Sequence, residues 1–224
     1  EVYGQTECSG IATANMPGAN RIGSVGRAIE PMEVTLSEEG EILIKGPGVI
    51  LGYWNNSEKT AETFVQNWLH TGDVGRIDDD GYVYIVDRMK DIIITAGGKN
   101  ITPSEIENQL KFSPFISDAV VVGDKKPFLT CLIMIDHENV ENFAQNNDVP
   151  FTNYTSLCHT QAVQDLIWSE IEKVNTKFAR VETIKKFRLI DQLLDPEDEE
   201  LTPTMKLKRK VVNEKYIVLI NEMY

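Results

Sequence analysis

The sequence predicts a mixed α+β protein, in which a mostly-β first part over residues 1–89 precedes a small α/β domain over residues 90–224. Three observations predict it. Before residue 89, β-rich apolar runs are short and are divided by Gly, Asp and Ser turns. After it, helical and strand-like runs alternate. Between the two, residues 85–107 (Ile-Val-Asp-Arg-Met-Lys-Asp-Ile-Ile-Ile-Thr-Ala-Gly-Gly-Lys-Asn-Ile-Thr-Pro-Ser-Glu-Ile-Glu) put a strand end, a charged cluster, a glycine pair and a capped helix start into one run, which reads as a joint between domains.

Taken in order, residues 1–20 are rich in Gly, Ser, Thr and Asn, and Tyr3-Gly4-Gln5-Thr6-Glu7 reads as a polar loop after a strand. Glu33-Val34-Thr35-Leu36 and Glu41-Ile42-Leu43-Ile44-Lys45, split by Ser-Glu-Glu-Gly, predict a hairpin that Gly46-Pro47-Gly48 ends. Residues 55–67 predict a short helix, with Ser57 as N-cap and Ala61, Phe64 and Val65 on one face. Around Asp78-Asp79-Asp80-Gly81, the runs Val74-Gly75-Arg76-Ile77 and Tyr82-Val83-Tyr84-Ile85-Val86 predict a second hairpin.

Thr102-Pro103-Ser104-Glu105 is a capping-box pattern with proline at the first helical position, a cap worth about 1 kcal/mol. Residues 117–123 and 128–135 read as strands and 136–147 as a helix. Val163, Leu166, Ile167, Ile171, Val174 and Phe178 fall at helical spacing and predict one long amphipathic helix over 160–178. A strand over 186–191, a solvated acidic loop over 195–200 and a closing helix over 211–223 complete the chain.

Composition narrows the function. With 42% hydrophobic and 25% charged residues in 224, the chain is an ordinary globular sequence. No apolar run approaches the ~20 residues of a membrane span, which leaves peripheral contact open. A net charge of −13 argues against a nucleic-acid partner, since duplex binding needs a basic footprint. Both parts are acidic: residues 1–89 hold fourteen acids and six bases, and 90–224 twenty-one and sixteen, with four of those bases in Lys206–Lys210, a cluster that reads as a solvated face. A phosphorylated small molecule stays compatible, because overall charge is screened beyond about 8 Å and local cations decide anion binding. Cys8, Cys131 and Cys158 are odd in number and widely spaced, and no secretory signal is visible, so a reducing, cytoplasmic compartment is expected. His70, His137 and His159 show no metal-ligand spacing. The chain starts at Glu1 without a methionine, and it reads as the C-terminal part of something longer.

Four signals stand in one order: Tyr3-Gly4-Gln5-Thr6-Glu7, Thr71-Gly72-Asp73, Asp87-Arg88-Met89-Lys90-Asp91 followed by Gly97-Gly98, and a lysine after Thr202-Pro203-Thr204. Read singly, each has a bland alternative: a polar turn, a chance tripeptide, a glycine turn between strand and helix, one surface lysine among several. Together they resemble the adenylate-forming superfamily, which contains acyl-CoA synthetases, luciferases and the adenylation domains of peptide synthetases. That resemblance implies ATP-dependent activation of a carboxylate, with Mg²⁺ and CoA as further requirements. It implies that Thr6 contacts phosphate and Glu7 binds magnesium, both in the catalytic set. It implies that Asp73 accepts the ribose hydroxyls, that Arg88 contacts the nucleotide, and that Tyr3 and Gly4 line the adenine and acyl pocket. Lys206 matches the mobile catalytic lysine, Lys90 the hinge on which the C-terminal domain turns, and Gly97 and Gly98 the CoA-facing loop.

Such chemistry is an in-line attack on the α-phosphate, which calls for a metal, donors on the phosphate oxygens and a cation where charge develops. Met205 replaces the glycine usual before the lysine, and Thr-Pro-Thr-Met-Lys-Leu-Lys-Arg resembles the long-chain version of the motif. The long segment 136–185 points the same way. The resemblance therefore implies a long-chain fatty acid–CoA ligase acting on fatty acid, ATP and CoA. The phosphate loop and most of the acyl tunnel would lie upstream, so these residues alone are expected to be inactive. An aryl-CoA ligase, a peptide-synthetase adenylation domain, or a non-catalytic nucleotide- or partner-binding module of the same fold are the alternatives.

Overall fold

Gly and Asp turns break the first ninety or so residues into short antiparallel strands, and the longer apolar runs after them form one buried sheet between helices. The structure, a computed structural model, describes residues 1–194, 197–202 and 207–224. Two compact units result, Glu1–Asp91 and Ile92–Tyr224. The fold class is the mixed α+β class that the sequence predicts.

In the first unit β1 (Val2–Tyr3), β2 (Thr13–Ala14) and β3 (Arg27–Ala28) make a small antiparallel sheet. A second sheet holds β4 (Glu33–Leu36) and β5 (Glu41–Lys45), which form the predicted hairpin. Helix α1 (Ser57–Thr63) leads into β6 (Phe64–Val65), β7 (Trp68–Ile77) and β8 (Val83–Arg88). The strand order is β4-β5-β7-β6, and β8 also pairs with β7. Ile42, Ile44, Leu69 and Val83 bury the inner face with Cys8 and Ala12.

The predicted helix over 55–67 is shorter than its apolar spacing suggested. Asn56, not Ser57, caps it, accepting from the Lys59 N–H at 3.0 Å. Phe64 and Val65 leave the helix and pair with Leu69 and Trp68. Gln66 and Asn67 between them both have positive φ, 51° and 67°, the geometry of a two-residue turn matched to strand twist. Two apolar residues at a segment end fit either period, and the turn decided between them.

In the second unit β9 (Ile93–Ile94) and β10 (Asn100–Ile101) form a small hairpin ahead of α2 (Pro103–Leu110). Strands β11 (Ile116–Val122) and β12 (Leu129–Ile135) are antiparallel. After α3 (His137–Asn146), α4 (Tyr154–Cys158) and α5 (Gln161–Asn175), β13 (Ile184–Leu189) returns parallel to β12. Every residue of β12 is buried. Its alternate side chains enter separate cores: Leu129, Cys131, Ile133 and Ile135 pack with α2 to α5, while Leu132 and Met134 pack with α6 (Arg209–Lys215) and α7 (Ile217–Glu222). A continuous apolar run is what a strand covered on both faces requires.

Three local expectations change. Thr102 makes no side-chain cap on α2, so the capping box is not formed and Pro103 at the first turn is what marks the start. The closing helix is two helices, interrupted at Tyr216. The stripe ending at Phe178 stops being helical after Asn175, whose amide instead exchanges two hydrogen bonds with the Ile184 backbone. Met205 and Lys206 lie outside the described residues. Among the described residues no helix is long and apolar enough to cross a membrane.

Candidate active site

Within the first unit, the end of β1 and the crossing of β7 and β8 bring two of the motifs together. Gly4 is required by close approach: a Cβ there would stand 1.8 Å from the Gly10 carbonyl oxygen, because the chain folds back through a one-turn helix at Thr6–Cys8. That turn presents Thr6 exposed and Glu7 half-buried. Gly72 is required by conformation, with φ 72°, and its N–H donates to Glu41 Oε1 at 2.8 Å. The same carboxylate meets His70 Nδ1 at 2.7 Å, so a buried glutamate on β5 holds both sides of the Thr71-Gly72 bend.

Asp73 follows the bend and is paired in register with Arg88 on β8. Its carboxylate is 9% exposed and meets three donors: the Tyr3 hydroxyl at 2.6 Å and Gln5 Nε2 at 3.0 Å on Oδ2, and Arg88 Nε at 2.8 Å on Oδ1. Gln5 and Arg88 also donate to the Thr71 carbonyl at 3.0 and 3.2 Å. Burial first, and then the hydrogen bond to Asp73, pushes the Tyr3 phenol well above the usual tyrosine value, so it stays protonated as a donor. A carboxylate offers about four acceptor positions. Three are taken, which leaves one on Oδ1 for an incoming hydroxyl.

A cleft of about 660 Å³ opens beside this cluster, lined by Gly4, Gln5, Thr6, Glu7, Tyr53 and Arg88 among others. Tyr3 and Asp73 are not among its lining residues; they hold Gln5 and Arg88, which are. Of the sequence-predicted residues, Tyr3, Gly4, Thr6, Glu7, Asp73 and Arg88 thus come together. Lys90 is exposed in the turn Met89–Asp91 that follows β8. Gly97 and Gly98 are exposed in the β9–β10 loop of the second unit, and Lys206 lies outside the described residues. The residues not anticipated are Gln5, Glu41, Tyr53 and His70. Gln5 sat inside a quoted motif without a role, whereas Glu41 and Tyr53 reach the site only through strand pairing and a loop.

The donor set suits a magnesium ion that arrives on phosphates. Among the described residues no group of three or more His, Cys, Asp or Glu could hold a metal. Mg²⁺ typically takes one or two protein carboxylates and completes its shell with water and substrate phosphates. Glu7, lining the cleft with one carboxylate oxygen bonded to Tyr53 at 2.8 Å, matches that demand.

Both the fold and the sequence place the chain in a family. Residues 90–224 match the AMP-binding enzyme C-terminal domain, and residues 1–54 match the AMP-binding enzyme family. The chain belongs to the AMP-binding enzymes. Long-chain-fatty-acid–CoA ligase FadD15 of Mycobacterium bovis is 40% identical over 227 residues, covering 100% of this chain and 38% of the relative. Long-chain-fatty-acid–CoA ligase ACSBG2 of Gallus gallus is 35% identical over 248 residues, covering 100% of this chain and 32% of the relative. Among solved structures, o-succinylbenzoate coenzyme A synthetase (MenE) from Bacillus subtilis in complex with ATP and magnesium ion aligns with a TM-score of 0.67 at 26% identity, over 94% of this chain and 40% of that one. The chain therefore spans less than two fifths of the length of the curated relatives it matches.

Proposed function

We propose that the chain serves ATP-dependent ligation of a long-chain fatty acid to CoA. The observation that carries the reading is the joining of Asp73, Arg88, Tyr3 and Gln5 to the turn that presents Thr6 and Glu7 in one cleft. Two relatives named long-chain-fatty-acid–CoA ligases, similar along the whole chain, support the substrate class. In the first half-reaction a carboxylate oxygen of the fatty acid attacks the α-phosphate of ATP and pyrophosphate leaves. In the second the CoA thiol attacks the acyl carbon and AMP leaves.

Asp73 would receive a ribose hydroxyl on Oδ1, and Arg88 would hold the nucleotide while its Nε holds the Asp73 carboxylate in place at 2.8 Å. Tyr3 and Gly4 would shape the adenine side, and Thr6 would donate to phosphate. Glu7 would bind Mg²⁺, which when bound supplies charge neutralisation on the phosphate oxygens. Lys206 would meet the developing charge during adenylation, a role commonly worth about 3 to 4 kcal/mol. Residues 1–89 and 90–224 would act as two domains pivoting at Lys90, with Gly97 and Gly98 facing CoA. Gly98 has φ 73° and is explained by its own turn. Gly97 is not: a Cβ there would meet only Thr95 Oγ1, at 3.9 Å, so packing within the unit does not require the glycine. The three free, buried cysteines suit a cytoplasmic site. The net charge of −13 suits small-molecule partners rather than nucleic acid.

The test is ATP–pyrophosphate exchange driven by a panel of acids, followed by CoA addition. In a full-length ligase carrying these residues, exchange with palmitate that becomes acyl-CoA is the expected result. Exchange with aromatic acids but not palmitate would favour an aryl-CoA ligase, consistent with the likeness to o-succinylbenzoate coenzyme A synthetase. Nucleotide binding without exchange would favour a binding module.

A further inference from the structure

The carboxylate proposed to hold magnesium is oriented by a residue 46 positions later. The Tyr53 hydroxyl donates to Glu7 Oε1 at 2.8 Å, and among the described residues it is the hydrogen-bond partner of that carboxylate. The tyrosine is itself held on three sides. Its ring lies 5.8 Å from that of Phe64, the Lys59 ammonium stands 5.0 Å over its face, and its N–H donates to Thr60 Oγ1 at 2.9 Å. The loop leading to it is laced to the same turn that carries Glu7. Ile50 N–H donates to the Glu7 carbonyl at 2.9 Å, and Ser9 Oγ to the Gly48 carbonyl at 2.7 Å. Both ends of the Tyr53–Glu7 hydrogen bond are therefore fixed relative to each other by one backbone and one serine-hydroxyl contact that do not involve either side chain's polar tip.

We propose that Tyr53 is a positioning residue for Glu7, occupying Oε1 so that Oε2 is presented to the divalent cation of a bound nucleotide. The inference rests on the reading of Glu7 as the metal-binding carboxylate. Three rotatable bonds separate a glutamate carboxylate from its backbone, while magnesium tolerates little departure from octahedral geometry at about 2.0–2.1 Å. A carboxylate already tied through one oxygen loses less freedom when the other meets the ion. Groups that orient metal ligands in this way typically change metal affinity by about 10- to 100-fold when removed.

Tyr53→Phe keeps the ring, its contact with Phe64 and its contact with Lys59, and removes the hydroxyl alone. On the full chain, ATP affinity is measured by calorimetry with excess Mn²⁺ and again with EDTA, and AMP affinity is measured in EDTA. The expected result is a loss of about 10-fold in the metal-dependent enhancement of ATP binding, with metal-free ATP and AMP affinities unchanged. An unchanged enhancement, or an equal fall in all three affinities, overturns the proposal. Glu7→Gln separates the two readings. If Glu7→Gln abolishes the enhancement and Tyr53→Phe leaves it intact, only the role of Tyr53 falls. If Glu7→Gln retains the full enhancement, the metal-binding role of Glu7 falls and that of Tyr53 with it.

Discussion

At Gly4 a single methyl group decides whether the candidate site can close. The Cβ of an alanine would stand 1.8 Å from the Gly10 oxygen and 2.9 Å from the Ile11 Cα, and both obstacles are backbone that cannot rotate away. Gly4→Ala is expected to destabilise the first unit by roughly 3 kcal/mol, the upper end of overpacking costs, read as a lower urea midpoint. Resemblance pointed to Gly4 as a pocket wall; the reason it cannot be anything else is the fold-back that brings residue 10 onto it. Asp73 teaches a similar lesson. The resemblance assigned it the ribose hydroxyls, but Tyr3, Gln5 and Arg88 already claim most of its acceptor capacity.

Among the elements, α2, β11 and α6 are joined by a cluster of polar contacts. Glu107 is buried on α2, and burial pushes its carboxyl upward while Arg209 on α6 opposes that shift. Arg209 grips it through both oxygens, at 2.7 and 2.8 Å, and donates to the Val121 carbonyl at 2.8 Å. The Val121 N–H returns a bond to Glu107 at 2.7 Å, and Leu207 N–H is held by Asp118 at 2.8 Å. Arg209→Ala leaves a buried carboxylate without its guanidinium, so about 3–5 kcal/mol of stability should be lost. Thermal unfolding followed by amide exchange should place that loss in the amides of β11 and α6, with β4 and β5 unaffected. Strands and helices of this unit were legible because β12 is apolar at every position but Thr130 and α5 is striped. The break at Tyr216 was not, since the apolar spacing Val212, Tyr216, Ile220 and Met223 continues across it at helical period.

For the whole molecule the proposed pivot is the testable feature. Lys90→Pro would fix φ near −65° at the position suggested to absorb the rotation. In a full-length ligase carrying these residues, ATP–pyrophosphate exchange is expected to persist, while acyl-CoA formation falls by about tenfold or more, a barrier increase of about 1.4 kcal/mol. Equal loss of both half-reactions would count against a pivot there. The sequence by itself determined the mixed class, the hairpins at Ser37-Glu38-Glu39-Gly40 and Asp78-Asp79-Asp80-Gly81, and the motifs from which the chemistry is argued, because turn residues and apolar period act locally and are written in consecutive residues. Only the tertiary structure decided that Glu41 holds Gly72, that Tyr53 reaches Glu7 and that Gln5 and Arg88 share Asp73. These contacts span tens of residues, and they are set by strand register and loop course, which no local pattern of residue types specifies.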